Sequence, residues 1–306
     1  MEDHVYLMRS YLPAEFEEEE SNEFIDYLVS AYLENLFAQK YQFSFTAFHM
    51  LYMSYIYKIK WFLKEQGDNQ IEESIQEYVK QNKGSSFNKL FDLSQFQEKN
   101  ILDKLLKSLS FHANDVDLCK NLVEVRNKCS HASGKIYFKR PQQVENYILE
   151  GLDSVLSIQR KMKPILIKVF DHFIEQNWDN NWIEADIKRW IIDNYISQKD
   201  IEEILKYKPA FTKLDSDNRE NFYKKILYSI LVNEFEKLLD IKDSHFLKSL
   251  SILMKGLIDK IDVRTNPNDS ERWKNTQEII EEKILPILTS LPHDEADKAQ
   301  KILNIA

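Results

Sequence analysis

The segment EVRNKCSHASG, residues 124–134, places three chemically versatile side chains close together in the chain. His131 follows Arg126 by five positions, and Asn127 comes directly after the arginine. Histidine exchanges a proton near neutral pH without help from its surroundings, so it can act as a general base or acid. A planar guanidinium can hold two oxygens of a phosphate at once. These residue types indicate acid–base chemistry at a phosphorylated substrate, and none of them requires a metal or a cofactor.

A helix over about 115–132 must carry these side chains, because apolar residues recur there at helical spacing and Gly134 is a typical stop signal. Four apolar side chains form a stripe that we expect to face the core: Leu118, Leu122, Val125 and Cys129. The helical wheel predicts the opposite side for the polar residues of the segment: Arg126, Asn127, Ser130 and His131. Glu124 can pair with Lys128 one turn further on.

The charge around this helix differs in sign from that of the whole chain. The net charge of the 306 residues is −9, the wrong sign for a general nucleic-acid binder. Residues 119–140, however, hold six lysines and arginines against one glutamate, a net charge of +5. A local basic patch suits a selectively bound polyanion, and Lys128, Ser130 and Lys135 are further candidates for phosphate contact. On charge alone, a solvated surface explains the patch equally well.

Composition and periodicity predict an all-α fold. The chain has only 5 glycines and 7 prolines, too few for the tight turns of a sheet-rich fold and too few for a glycine-rich phosphate loop. We expect helices over 22–39, 44–65, about 94–109 and from Pro141 to about Met162, and another that Gly84 ends. Ser94 and Gln97 suggest a capping box. Pro164 is the expected boundary between a domain over 1–163 and a helical region over 164–306, with five further helices between 197 and 304.

Several other features have an ordinary structural interpretation. Cys119 and Cys129 lie too far apart on one helix for a disulfide, and free thiols without a secretory leader are typical of the cytoplasm. The uncharged run 41–57 is too short and too polar for a membrane span, so we expect a buried helix in which His49 is hydrogen-bonded. Asp171 and Glu175 are one turn apart and could in principle share a metal, but with no further histidine or cysteine nearby they suit a solvated helix face better. Three tryptophans near one another suit a core or partner surface better than base stacking: Trp178, Trp182 and Trp190.

The arrangement of Arg126, Asn127 and His131 late in a helix of an all-α bundle resembles the R-x4-6-H signature of HEPN domains (higher eukaryotes and prokaryotes nucleotide-binding). The resemblance covers about residues 20–163 and does not extend past Pro164. It implies a HEPN-like helical bundle followed by additional C-terminal helices. In a toxin subset of that family, a tyrosine stands two residues after the histidine, where this chain has Ser133.

The resemblance also implies a function. HEPN domains with an intact motif are typically metal-independent endoribonucleases that act as homodimers, many of them toxins or antiviral and abortive-infection effectors. His131 would then be the general base, Arg126 the phosphate clamp and Asn127 the orienting group, with RNA cut to 2′,3′-cyclic phosphate and 5′-hydroxyl ends. Region 164–306 would bind an antitoxin or another protein partner. The alternative is a non-catalytic helical interaction or regulatory subunit of a defence complex.

Overall fold

The computed structural model describes residues 1–81, 87–130, 136–177 and 184–206, and these ranges confirm the predicted all-α class. The helices are α1 (Glu2–Tyr11), α2 (Glu19–Phe37), α3 (Tyr41–Glu65), α4 (Asn69–Gln81), α5 (Glu98–Ser108), α6 (Ala113–Ser130), α7 (Pro141–Asn177), α8 (Glu184–Asp193) and α9 (Gln198–Lys206). A 3₁₀ helix, Leu90–Gln95, precedes α5. Within the described ranges there is no strand, only an isolated bridge between Pro13 and Ser197.

The chain divides into two compact units. The described part of the first comprises 1–81, 87–130, 136–166 and 191–199, and that of the second comprises 167–177, 184–190 and 200–206. In the second unit, the Trp190 ring packs against Phe170 and Phe173, with centroid separations of 5.7 and 5.2 Å. The predicted boundary between 1–163 and 164–306 stays a prediction. The helices expected beyond residue 206, together with Gly84, Gly134, Trp178 and Trp182, lie outside the described residues.

Helix α3 is the centre of the first unit, as its apolar sequence predicts. Every residue from 51 to 63 is buried, because α3 contacts α1, α2, α4, α5 and α6. Two lysines share this environment. The Lys58 ammonium donates to the Tyr11 carbonyl oxygen at 3.1 Å. The Lys60 ammonium lies 5.0 Å from the centre of the Phe96 ring, and burial, with the nearby charge of Lys104, lowers its pKa to about 8.

None of the helices in the described ranges is long and apolar enough to cross a bilayer.

Apart from shifts of two to four residues at several helix starts, two predictions about a helix end and a helix cap are wrong. The predicted end near Met162 is wrong, because α7 continues through Pro164 to Asn177. A proline inside a helix costs about 3 kcal/mol, but buried apolar residues recur at helical spacing on both sides of it: Ile148, Leu152, Val155, Ile158, Met162, Leu166, Phe170 and Ile174. The predicted capping box is also wrong. Ser94 lies in the 3₁₀ helix, and Gln97 precedes α5 without a side-chain cap bond.

Gly151 permits close approach of α7 to α3. A Cβ atom at this position would lie 2.9 Å from Cε1 of Phe48, a ring that is 1% exposed. We expect Gly151→Ala to lower the free energy of unfolding by about 1–2 kcal/mol, since overpacking of about 1–3 kcal/mol outweighs a gain in helix propensity of about 0.5–1 kcal/mol. Urea unfolding measures this. Asp153→Ala, at an exposed position two residues on, is the control, and a stabilised Gly151→Ala protein would contradict the close packing.

Candidate functional site

The Arg126 guanidinium forms an ion pair with a carboxylate of a neighbouring helix. Its Nη2 atom contacts Oε2 of Glu98, the first residue of α5. The Arg126 side chain is 25% exposed and that of Glu98 is 20% exposed, so the pair lies at the border between core and solvent. A guanidinium has five N–H donors in a fixed plane. The ion pair therefore restrains the Arg126 side chain but uses only some of its N–H donors.

A histidine from a third helix completes this contact. His49 of α3 lies with Nε2 at 3.1 Å from the same Oε2 atom of Glu98, and the His49 side chain is only 2% exposed. The prediction that His49 is a hydrogen-bonded core histidine is confirmed. One carboxylate oxygen thus joins α3, α5 and α6. We call His49, Glu98 and Arg126 the carboxylate cluster.

Burial and charge act on the two titratable groups of this cluster in different ways. Burial lowers the pKa of His49, and the Arg126 charge lowers it further, against the opposing effect of Glu98. Burial raises the pKa of Glu98, but the bonds and charges of His49 and Arg126 together outweigh burial and lower it. At neutral pH, Glu98 is therefore ionised and His49 is neutral. Because an ionised carboxylate can only accept a hydrogen bond, the neutral His49 has its N–H at Nε2, and this N–H donates a hydrogen bond to Oε2 of Glu98.

The predicted orientation of α6 is wrong for Arg126. Leu118, expected in the core, is 44% exposed, whereas the buried residues of α6 are Val116, Cys119, Leu122, Val123, Val125 and Cys129. The buried face is thus turned from Leu118 toward Cys119 and Val123, and Arg126 lies at its edge instead of on the far side. The reason is that α6 packs against both α3 and α5, so two neighbours share its buried surface.

The other predicted site residues lie on the last turn of α6 or beyond it. Asn127 is half-buried, and Lys128 and Ser130 are exposed. His131 and Lys135 lie outside the described residues. The structure therefore brings Asn127, Lys128 and Ser130 near Arg126 as members of one helix end.

Gln42 joins the two sides of segment 131–135, a contact that the sequence analysis missed. Its Nε2 donates to the carbonyl oxygen of Cys129 at 2.6 Å, and its Oε1 accepts from the backbone N–H of Tyr137 at 2.9 Å. The buried Phe138 ring then packs against Phe45 of α3, with centroids 5.5 Å apart. A lone glutamine in an aromatic run gives no signal of such a long-range contact, since its partners are backbone atoms.

Some of the basic residues around α6 are neutralised within the chain. Lys120 pairs with Asp103 at 2.6 Å, and Glu124 pairs with Lys99 at 2.7 Å instead of with Lys128 as predicted. Of the described basic residues within 119–140, three have no carboxylate within 4 Å: Lys128, Lys139 and Arg140. The positive potential of this surface therefore comes from the end of α6 and the start of α7.

The His112 imidazole and the two thiols of α6 are not part of this site. His112 precedes α6 and is about 20 Å of helix rise from Arg126. Cys119 and Cys129 are buried free thiols, as predicted, and burial raises the pKa of both, that of Cys129 to about 11. The described ranges hold no cluster of three or more residues able to bind a metal ion.

Comparison of the chain with protein-family models, with curated proteins and with solved structures finds no match. The resemblance to HEPN domains therefore stays a prediction that rests on the motif of α6.

Removal of the Glu98 carboxylate tests how much the carboxylate cluster contributes to the free energy of unfolding. We expect Glu98→Ala to lower the free energy of unfolding by about 1–3 kcal/mol, because it leaves a buried imidazole and a half-buried guanidinium without their shared acceptor. Glu124→Ala removes an exposed partner from the same two helices and should change stability much less, because solvent screens an exposed ion pair. Chemical unfolding of both variants measures the difference, and equal effects would show that the cluster contributes no more than a surface pair.

The lowered pKa of His49 predicts a pH dependence of stability. Below the ordinary histidine pKa of 6.5, the unfolded chain takes up a proton at this residue that the folded chain resists. The free energy of unfolding should therefore fall as the pH is lowered from 7 toward 5. In His49→Gln, which keeps a donor but does not titrate, this fall should be smaller. Identical pH profiles for the two proteins would contradict a buried neutral imidazole.

Proposed function

We propose that this chain is a metal-independent endoribonuclease of HEPN type, cytoplasmic and active as a homodimer, that serves as a toxin or an antiviral effector. The proposal rests on the environment of the Arg126 side chain. Its guanidinium is restrained by Glu98 and remains 25% exposed, and in the sequence Arg126 stands five positions before His131. A restrained cation needs little reorganisation when charge develops on a bound phosphate, which is how such groups lower a reaction barrier.

The proposed reaction is an attack of a ribose 2′-oxygen on the adjacent phosphorus. His131 takes the 2′-hydroxyl proton as the new P–O2′ bond forms. The P–O5′ bond breaks, and the departing 5′-oxygen receives a proton from the protonated His131, which restores the base, so the products are a 2′,3′-cyclic phosphate and a 5′-hydroxyl. Arg126 stabilises the negative charge on the phosphoryl oxygens, and Asn127 orients the substrate or the imidazole. Lys128, Ser130 and Lys135 contact neighbouring phosphates, and residues 164–306 bind a protein partner such as an antitoxin.

A non-catalytic interaction module is the second candidate, and one observation favours it. The charge of Arg126 is balanced by Glu98 within the same chain, so the ion pair has a complete structural role without any ligand. In this alternative, the chain is a regulatory subunit of a defence complex. It would bind protein or nucleic acid without turnover, and substitution of His131 or of Arg126 would have no effect on that binding.

Cleavage of RNA in the presence of EDTA tests the proposal. We expect the purified chain to cleave RNA without metal, and we expect Arg126→Ala and His131→Ala each to lower the rate by about 10²–10⁴-fold, the usual contribution of such groups. Arg160→Ala and His112→Ala, which alter exposed residues away from the end of α6, are matched controls and should cleave normally. Circular dichroism verifies folding.

A protein that cleaves RNA equally well after substitution of Arg126 and of His131 would contradict the assignment of the site. A protein that binds its partner but never cleaves RNA would favour the interaction module. Induced expression in cells separates the candidates independently, since a nuclease should arrest growth and its His131→Ala variant should not.

A further inference from the structure

The carboxylate cluster runs from the core to the surface. His49 is 2% exposed, Glu98 is 20% exposed and Arg126 is 25% exposed, and both nitrogen atoms contact the same Oε2 atom of Glu98. The innermost member is polar although its neighbours are rings: Phe45 and Tyr52 lie with their centroids at 6.3 and 6.0 Å from that of His49. An apolar side chain would fill this space without the desolvation that a buried imidazole undergoes.

The hydrogen bond from His49 restricts the rotamers that the Glu98 side chain can adopt. As the first residue of α5, Glu98 stands where the helix dipole favours a negative charge, and a side chain at this place can equally point to solvent. The Nε2–H donor of His49 draws the carboxylate inward at 3.1 Å. The carboxylate, in turn, meets Arg126 on the adjacent helix. The orientation of the guanidinium thus depends on a residue of α3 that it does not itself need to touch.

We propose that Glu98 and His49 are positioning residues for Arg126, with Glu98 orienting the guanidinium toward phosphate and His49 holding Glu98 in the required rotamer. This inference rests on the proposed ribonuclease function. It adds two residues from α3 and α5 to a site that the motif places entirely at the end of α6. Neither residue contacts the reacting atoms, so neither is catalytic.

A positioning role and a purely structural role have different kinetic consequences. Loss of folded protein lowers the apparent rate in proportion and leaves KM unchanged. Loss of orientation lowers kcat, since a misplacement of about 1 Å can reduce a rate by 10²-fold. Removal of the Glu98 charge also removes a carboxylate that competes with phosphate for the guanidinium. In Glu98→Gln, therefore, kcat and KM should both fall, which is a combination that partial unfolding does not produce.

The experiment measures kcat and KM for RNA cleavage in EDTA with the full chain and four variants. Glu98→Gln should lower kcat by about 10- to 100-fold and KM by about two- to fivefold. His49→Leu removes the donor to Glu98 and should lower kcat by about tenfold, whereas His49→Gln restores a donor and should recover kcat to within about threefold of the unaltered chain. Glu124→Gln is the matched control, because it makes the same change in the exposed Lys99 pair between the same helices.

The outcomes separate this inference from the function on which it rests. Absence of cleavage by the unaltered chain overturns the proposed function and the inference together. Cleavage that requires Arg126 but proceeds normally in Glu98→Gln and His49→Leu overturns the inference alone. Equal losses in His49→Leu and His49→Gln, with KM unchanged and with activity that follows the folded fraction, also overturn it in favour of a structural role. The predicted pattern in all four variants supports it.

Discussion

The architecture of the candidate site depends on one carboxylate oxygen, Oε2 of Glu98. It accepts from a neutral, buried imidazole on one side and from a guanidinium on the other, and it thereby links the central helix α3 to α5 and α6. Its position at the first turn of α5 suits an ionised group. The lowered pKa of Glu98 is the electrostatic sign that its two donors outweigh the effect of burial. An arginine at the edge of the core thus has a defined orientation.

The remaining contacts of the first unit hold this region in place. Helix α3, which carries His49 and Gln42, is buried over 51–63 and contacts α1, α2, α4, α5, α6 and α7. Gln42 joins the last turn of α6 to Tyr137, and the Phe138 ring packs beside it on Phe45. Two side chains of α3 therefore contact the C-terminal part of α6: His49 through Glu98, and Gln42 through backbone atoms.

Periodicity was sufficient to predict the all-α class, the buried central helix and the burial of His49, because these follow from local patterns of apolar residues. It failed where the outcome depends on distant partners. The orientation of Arg126 is set by α5, whose packing against α6 shifts the buried face away from Leu118. Pro164 is locally typical of a helix end, yet α7 continues past it because residues on both sides are buried at helical spacing. The role of Gln42 depends on backbone atoms 87 and 95 residues away in the chain, which no local pattern contains.

The charge pattern of the sequence overestimates the positive surface around α6. Of the cations around α6, Lys120 and Arg126 have carboxylate partners in the fold, so the positive surface is smaller than the sequence suggests. Arg126 and Lys120 are similarly exposed, at 25% and 28%, but only the carboxylate partner of Arg126 also accepts a hydrogen bond from a buried histidine. This difference is the physical reason to treat Arg126 as a positioned group and Lys120 as a member of a surface pair.

The central proposal is that the restrained Arg126 guanidinium acts on a phosphodiester together with His131, five residues further along the sequence. Mass spectrometry of the ends of RNA fragments, after incubation with the chain in EDTA, tests it most directly. The account predicts 2′,3′-cyclic phosphate and 5′-hydroxyl ends that are absent from reactions with Arg126→Ala. Intact RNA, or fragments with 5′-phosphate ends that form equally with the variant, would contradict it.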